Sequence, residues 1–138
     1  MRRFIALLML TIGALTATGC GSDGITDSGP SVLGTYRLES YDGAPPPVVL
    51  IAGDPKLEVL ADQFVLASGG AFTQRTSFRL TDGGVVTLDE SIETGTYTVS
   101  GSTVTIRLTS DNSSTAATMT GRGMTIEFEG HRLVYARE

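Results

Sequence analysis

From Gly95 to Leu108 the chain reads GTYTVSGSTVTIRL: Tyr97 and Val99 alternate with Thr96, Thr98 and Ser100, then Val104, Ile106 and Leu108 alternate with Thr103, Thr105 and Arg107. A repeat of two marks strands with one face buried and one in water. Gly101-Ser102 lies between the runs, and a Gly-first pair predicts a type II′ turn that sets Val99 opposite Val104 and Tyr97 opposite Ile106. Gly121-Arg122 repeats the device, pairing Met119 with Met124, Ala117 with Ile126 and Thr115 with Phe128. Gly130-His131 repeats it again, pairing Phe128 with Leu133, Ile126 with Tyr135 and, outward, Glu129 with Arg132. A polar loop at 110–113 matches Leu108 with Thr115, Ile106 with Ala117 and Val104 with Met119, so one apolar row crosses five strands: Tyr97, Ile106, Ala117, Ile126, Tyr135.

Upstream the same period holds. Tyr36, Leu38 and Ser40 oppose Arg37, Glu39 and Tyr41 in a first strand that ends at Asp42-Gly43. Pro45, Pro46 and Pro47 cannot donate ladder hydrogen bonds, so they predict an extended connection or an edge leading into the apolar run at 48–51; a polyproline ligand for a partner domain is the sharper alternative. The stretch KLEVLADQFVLASGG is strand material whose register is ambiguous around Ala61-Asp62. Next, Phe72, Gln74, Thr76, Phe78 and Leu80 share one face. A three-residue loop at Asp82-Gly83-Gly84 would match Leu80 with Val86, Phe78 with Leu88 and Gln74 with Ile92, whereas a two-residue loop turns Val86, Leu88 and Ile92 outward; the three-residue loop is expected because it buries them.

Sequential hairpins without a helical crossover imply an antiparallel meander, and closing the sheet removes its edges. The expected fold is all-β: a small up-and-down barrel of about eight to ten strands spanning residues 32–138, with a two-sheet β-sandwich as the alternative. The 138 residues suffice for one such core, and the 17 Gly with no Trp suit short strands and tight turns. A net charge of −5, which becomes −7 on loss of the two arginines Arg2 and Arg3, argues against nucleic acid and anionic head groups as partners. One Cys and one His cannot build an internal disulfide or a Cys/His zinc site.

The N-terminus carries an address. Arg2 and Arg3 precede FIALLMLTIGALTA, an apolar run too short for a comfortable transmembrane helix and expected to be a secretory signal over residues 1–19. Ala17-Thr18-Gly19-Cys20 resembles the lipobox of bacterial lipoproteins, with Ala17 where the family most often has Leu. That resemblance implies that Cys20 becomes the first mature residue, bearing a thioether-linked diacylglycerol and an N-acyl chain such as palmitate, and so ties the protein to a lipid bilayer. An ordinary secreted protein with a free thiol is the alternative. Gly21 after the Cys is similar to the pattern sorted to the outer membrane, facing the periplasm. Residues 20–31 continue as a Gly/Ser/Asp-rich segment expected to be a flexible tether.

Gly34-Thr35-Tyr36 resembles the Gly-x-Trp opening of lipocalins and other calycins, with Tyr in place of Trp. Together with GTYTVSG, TVTIRL and the closing LVYAR, it makes residues 33–137 similar to small lipocalin-like lipoproteins of bacteria. The resemblance implies that Arg137 or Arg132 stacks on Tyr36.

Little in the chain points to reaction chemistry, and the protein is not expected to be an enzyme, to carry a cofactor or to bind a metal. His131 is read as a solvent-facing turn residue beside Glu129 and Arg132. Asp89, Glu90 and Glu93 are split between faces and lack the loop that calcium sites use. Glu127 and Glu129 share an outer face, where Arg132 gives Glu129 a cross-strand partner. Met119 and Met124 read as deformable core filling or as contacts to an apolar ligand. Two functions stay open. One is a binding module whose interior, lined by Phe72, Phe78, Tyr97, Met119, Met124 and Tyr135, takes a small apolar or amphipathic ligand, with Gly95 and Ala117 leaving room. The other is a filled-core structural or interaction module of the cell envelope.

Overall fold

The computed structural model describes residues 31–138. Nine strands follow in order: β1 Gly34–Tyr41, β2 Val48–Ile51, β3 Lys56–Leu66, β4 Ala71–Asp82, β5 Val85–Ser100, β6 Thr103–Leu108, β7 Ser114–Thr120, β8 Gly123–Phe128 and β9 His131–Arg137. Every pairing is antiparallel, and consecutive strands from β3 to β9 are neighbours. β1 lies between β9 and β3, with Tyr36 opposite Arg137 on one side and Phe64 on the other. The sheet thus closes as a barrel of eight strands with β2 as an extra edge strand, a meander and not a two-sheet sandwich.

The inner face is the one the alternation marked. Tyr36, Leu66, Phe72, Tyr97, Val104, Ala117 and Met124 are buried at one end, where the Tyr36 hydroxyl donates to Val32 O and the Tyr97 hydroxyl to Ala67 O, both at 2.7 Å. These bonds let two phenols enter an apolar core without an orphaned hydroxyl. Arg137 closes the same end: its guanidinium donates to the carbonyls of Ser31 and Leu33 across Gly34. Gly34 has φ 149°, and a Cβ there would meet Arg137 Nε at 2.8 Å, so glycine suits both the backbone and the close approach. Arg132 instead reaches Glu127 at 3.7 Å on the outer surface.

Three turns move the ladders away from the expected register. Between β8 and β9 the turn is Glu129-Gly130, both left-handed at φ 50° and 85°, so Phe128 pairs with His131, Glu127 with Arg132 and Ile126 with Leu133. That is a type I′ turn with glycine second, not a type II′ turn with glycine first. Between β6 and β7 a loop at 109–112, with Asn112 left-handed and Asp111 Oδ1 accepting from Ser113 N at 2.8 Å, sets Ile106 opposite Thr115 and Val104 opposite Ala117. Both offsets are two residues, so every side chain keeps its face.

The third departure changes faces. Gly83-Gly84 is a two-residue loop that pairs Asp82 with Val85, so Phe78 meets Asp89 and Gln74 meets Glu93. Val86, Leu88 and Ile92 therefore point outward and are mostly exposed, contrary to the three-residue loop expected to bury them. No core exists to bury them: β6 pairs with β5 only from Gly95 onward, and residues 85–94 continue past the rim as an edge. The three-residue loop would give a barrel interior to a segment that lies beyond the barrel. β2 and the adjoining parts of β3 and β4 complete this four-stranded projection.

Candidate functional site

The site begins with a bulge. Val59 pairs with Phe78 and Ala61 with Ser77, leaving Leu60 unpaired between them. This extra residue lets Leu57 and Val59 face inward ahead of it and Asp62, Phe64 and Leu66 face inward after it, opposite Thr76, Gln74 and Phe72. The ambiguity at Ala61-Asp62 was the bulge itself.

Asp62 is 3% exposed, and neutral donors surround its carboxylate. Tyr135 Oη donates to Oδ2 at 2.6 Å, Thr76 Oγ1 to Oδ1 at 2.8 Å, and Gln74 Nε2 to Oδ1 and Oδ2 at 3.2 and 3.0 Å. Burial, then the negative charge of Asp62 and its hydrogen bond, push the Tyr135 phenol far above its ordinary pKa. The Tyr135 ring is further fixed by an edge-on contact with Phe64, centroids 5.3 Å apart at 82°.

Next to this cluster the interior is not filled. A half-open cavity of about 210 Å³ sits at the end opposite Arg137, where the projection rises beside its mouth. Its apolar wall is Phe64, Ile106, Leu108, Ile126, Phe128 and Leu133; Gln74, Thr115 and Tyr135 supply the polar groups.

Of the interior residues expected to meet a ligand, Tyr135 alone is on this wall. Phe72, Tyr97 and Met124 are buried in the packed end, and Met119 packs half-buried against it, so the Met119–Met124 pair is core filling. Phe78 faces a shallow groove of the projection with Leu57, Leu80, Thr87 and Asp89. Gly95 leaves no room for a ligand: a Cβ there would lie 1.9 Å from Arg107 O and 2.6 Å from Phe72 Cε1, and Ala117 is fully buried. The packed end holds Tyr36, Phe72, Tyr97 and Met124, and the cavity lies where β6, β7 and β8 contribute Ile106, Leu108, Thr115, Ile126 and Phe128. Reading backward by twos from Leu66 and Phe64 would have put Asp62 inside, and an acidic residue at an inward strand position was the available signal.

Several other charged residues form ion pairs away from the cavity. Glu58, the other buried carboxylate, holds Arg79 Nε at 2.7 Å and Lys56 Nζ at 2.9 Å. These side chains lie on the barrel's outer face and shield Glu58 from solvent, and the hydrogen bonds from Arg79 and then Lys56 lower its pKa to about 2. His131 Nδ1 lies 2.7 Å from Asp42 Oδ2 and its ring 5.0 Å from Tyr41; the Arg132 N–H also binds Asp42, and these bonds lower the Asp42 pKa. Glu90 pairs with Arg75 at 3.5 Å. Among the described residues no cluster of three or more His, Cys, Asp or Glu side chains is placed to hold a metal, and no helix is long and apolar enough to cross a membrane. Cys20, the expected signal segment at 1–19 and the expected tether up to residue 30 lie outside the described residues.

No protein-family model and no curated protein matches the chain. Among solved structures it is similar to an uncharacterised protein from Bacteroides eggerthii DSM 20697, at 14% identity and a TM-score of 0.45, over 78% of this chain and 100% of that one.

Proposed function

We propose that this chain is a lipid-anchored lipoprotein of the bacterial cell envelope, resident at the outer membrane and facing the periplasm, whose lipocalin-like barrel binds a small apolar or amphipathic molecule. The observation that carries the binding reading is the half-open, mainly apolar cavity of about 210 Å³ inside the sheet. A buried apolar cavity of about 150 Å³ takes benzene, so this one suits a single ring or a short branched chain better than a long acyl chain. A space worth several waters speaks against the filled-core alternative.

The anchor reading rests on the lipobox-like Ala17-Thr18-Gly19-Cys20. Two or three acyl chains, at about 0.8 kcal/mol per buried methylene, hold a protein at a bilayer without a transmembrane helix. The chain enters the barrel at the closed end, where Arg137 binds the Ser31 and Leu33 carbonyls, so a tether leaving there puts the cavity mouth at the far end. Mass spectrometry of the membrane fraction is expected to show a chain beginning at an acylated Cys20, with Cys20→Ser unprocessed; a mature chain starting elsewhere and free of acyl groups overturns the anchor.

Binding is tested by titrating the full-length protein in detergent with indole, read by protein NMR. Saturable shifts around Ile106 and Ile126 are expected, and Thr115→Phe, which fills the wall, is expected to remove them while the melting midpoint holds. Absence of saturation up to the solubility of indole, or binding indifferent to Thr115→Phe, overturns the reading.

A further inference from the structure

The two buried carboxylates of the barrel are satisfied in different ways. Glu58 has two cations on it, Arg79 and Lys56. Asp62 has none among the described residues: its partners are a phenol, a threonine hydroxyl and an amide. Neutral donors satisfy its lone pairs but leave its charge uncompensated, and a buried charge without a counter-ion attracts one strongly because little water screens it. Gln74 stands between that charge and the cavity. Its Nε2 donates to both oxygens of Asp62, Gln74 lines the cavity wall, and its Oε1 remains as an acceptor, polarised by the anion behind it.

Building on the binding reading above, we infer that the cavity selects a small apolar body carrying a hydrogen-bond-donating head, an ammonium group above all, and rejects carboxylates. The ring or short chain occupies the wall of Ile106, Ile126 and Leu133, and the head donates to Gln74 Oε1 with Asp62 beyond it. A carboxylate in the same place would face an acceptor and a like charge, both of which cost binding energy. An alcohol, which donates without charge, falls between the two.

Three molecules with the same phenyl ring and a short linker separate these cases: phenethylamine, phenethyl alcohol and phenylpropanoate. Calorimetric titration of the full-length protein in detergent at neutral pH is expected to rank them in that order, the amine at least about ten-fold tighter than the carboxylate. The ranking must survive in about 1 M salt, where the screening length is about 3 Å, because the acidic surface alone would favour amines only at low salt. Asp62→Asn is expected to bring amine and alcohol to within about two-fold of each other. Should that variant fail to fold, the wild-type ranking in high salt decides. A carboxylate that binds as well as the amine, a preference abolished by salt, or an amine preference retained by folded Asp62→Asn overturns the inference. Binding of indole without any amine preference overturns this inference alone, whereas no binding by indole or any of the three removes the cavity reading with it.

Discussion

Tyr135 on β9 and Asp62 on β3 meet inside the barrel through a 2.6 Å hydrogen bond that reaches across β1, joining residues 73 positions apart. Tyr135→Phe keeps the ring against Phe64 and removes the donor, leaving Asp62 one partner short. A loss of about 1–3 kcal/mol is expected in urea unfolding, with the midpoint shifted and the slope unchanged. The phenol also sets an alkaline limit. Its folded pKa is raised, so its contribution is complete below the unfolded value near 10 and is lost as pH rises above it. Tyrosinate absorbance should therefore show Tyr135 ionising only as the barrel unfolds, while Tyr41, on the outer surface, titrates reversibly before it.

Glu58 sets the acid limit. Its folded pKa of about 2 lies below the usual 4.5 of a glutamate, so the stability it adds is present above about 4.5 and is lost as pH falls toward 2. Glu58→Gln should lower stability most near neutral pH and least near pH 2, and so flatten the acid limb of a stability–pH profile across that window. A limb unchanged in the variant would count against the assignment.

Two glycines should respond to alanine in opposite degree. At Gly95, where β5 starts to pair with β6, a methyl would collide with Arg107 O and the Phe72 ring, so Gly95→Ala is expected to cost about 3 kcal/mol or more, or to prevent folding. At Gly101 nothing lies within 4 Å of an added Cβ, and the cost is that of a left-handed alanine at φ 60°, about 1–2 kcal/mol. Thermal melts of the two variants give the comparison.

Residues 85–93 of β5 present an edge without a strand partner on one side, with Val85, Val86, Leu88 and Ile92 exposed. Asp89, Glu90 and Glu93 lie on that same edge, and like charges brought opposite each other deter pairing with a second copy. Asp89→Thr combined with Glu93→Thr should therefore give concentration-dependent association in analytical ultracentrifugation, and a variant that sediments like the parent would show that the charges do not guard the edge.

The inner face was legible because Gly101 and Gly121 permit few alternatives: with glycine first, the loop fixes Val99 on Val104 and Met119 on Met124. Where a non-glycine residue takes the left-handed position, as Glu129 and Asn112 do, the turn shifts by two residues and only the partner changes, not the face. Gly83-Gly84 allowed two loops, and hydrophobicity chose the wrong one because Val86, Leu88 and Ile92 belong to a part of the sheet with no interior. The cavity was harder to see. The buried Asp62 beside it sits just past the Leu60 bulge, which inverts the parity for a count that starts from Leu57 and Val59, and the cavity walls are ordinary aliphatic and aromatic residues whose failure to fill space depends on how three strands curve.

The place of β1 bears on how such a molecule is made. The first of the described strands is the stave that completes the ring: one flank meets β3 early, through Arg37–Gln63, but the other, at Tyr41–Leu133, has nothing to join until almost the whole chain is out. Assembly must await release, and contacts of such long span fold slowly. A ring of this design is complete only when its two ends have been sewn together.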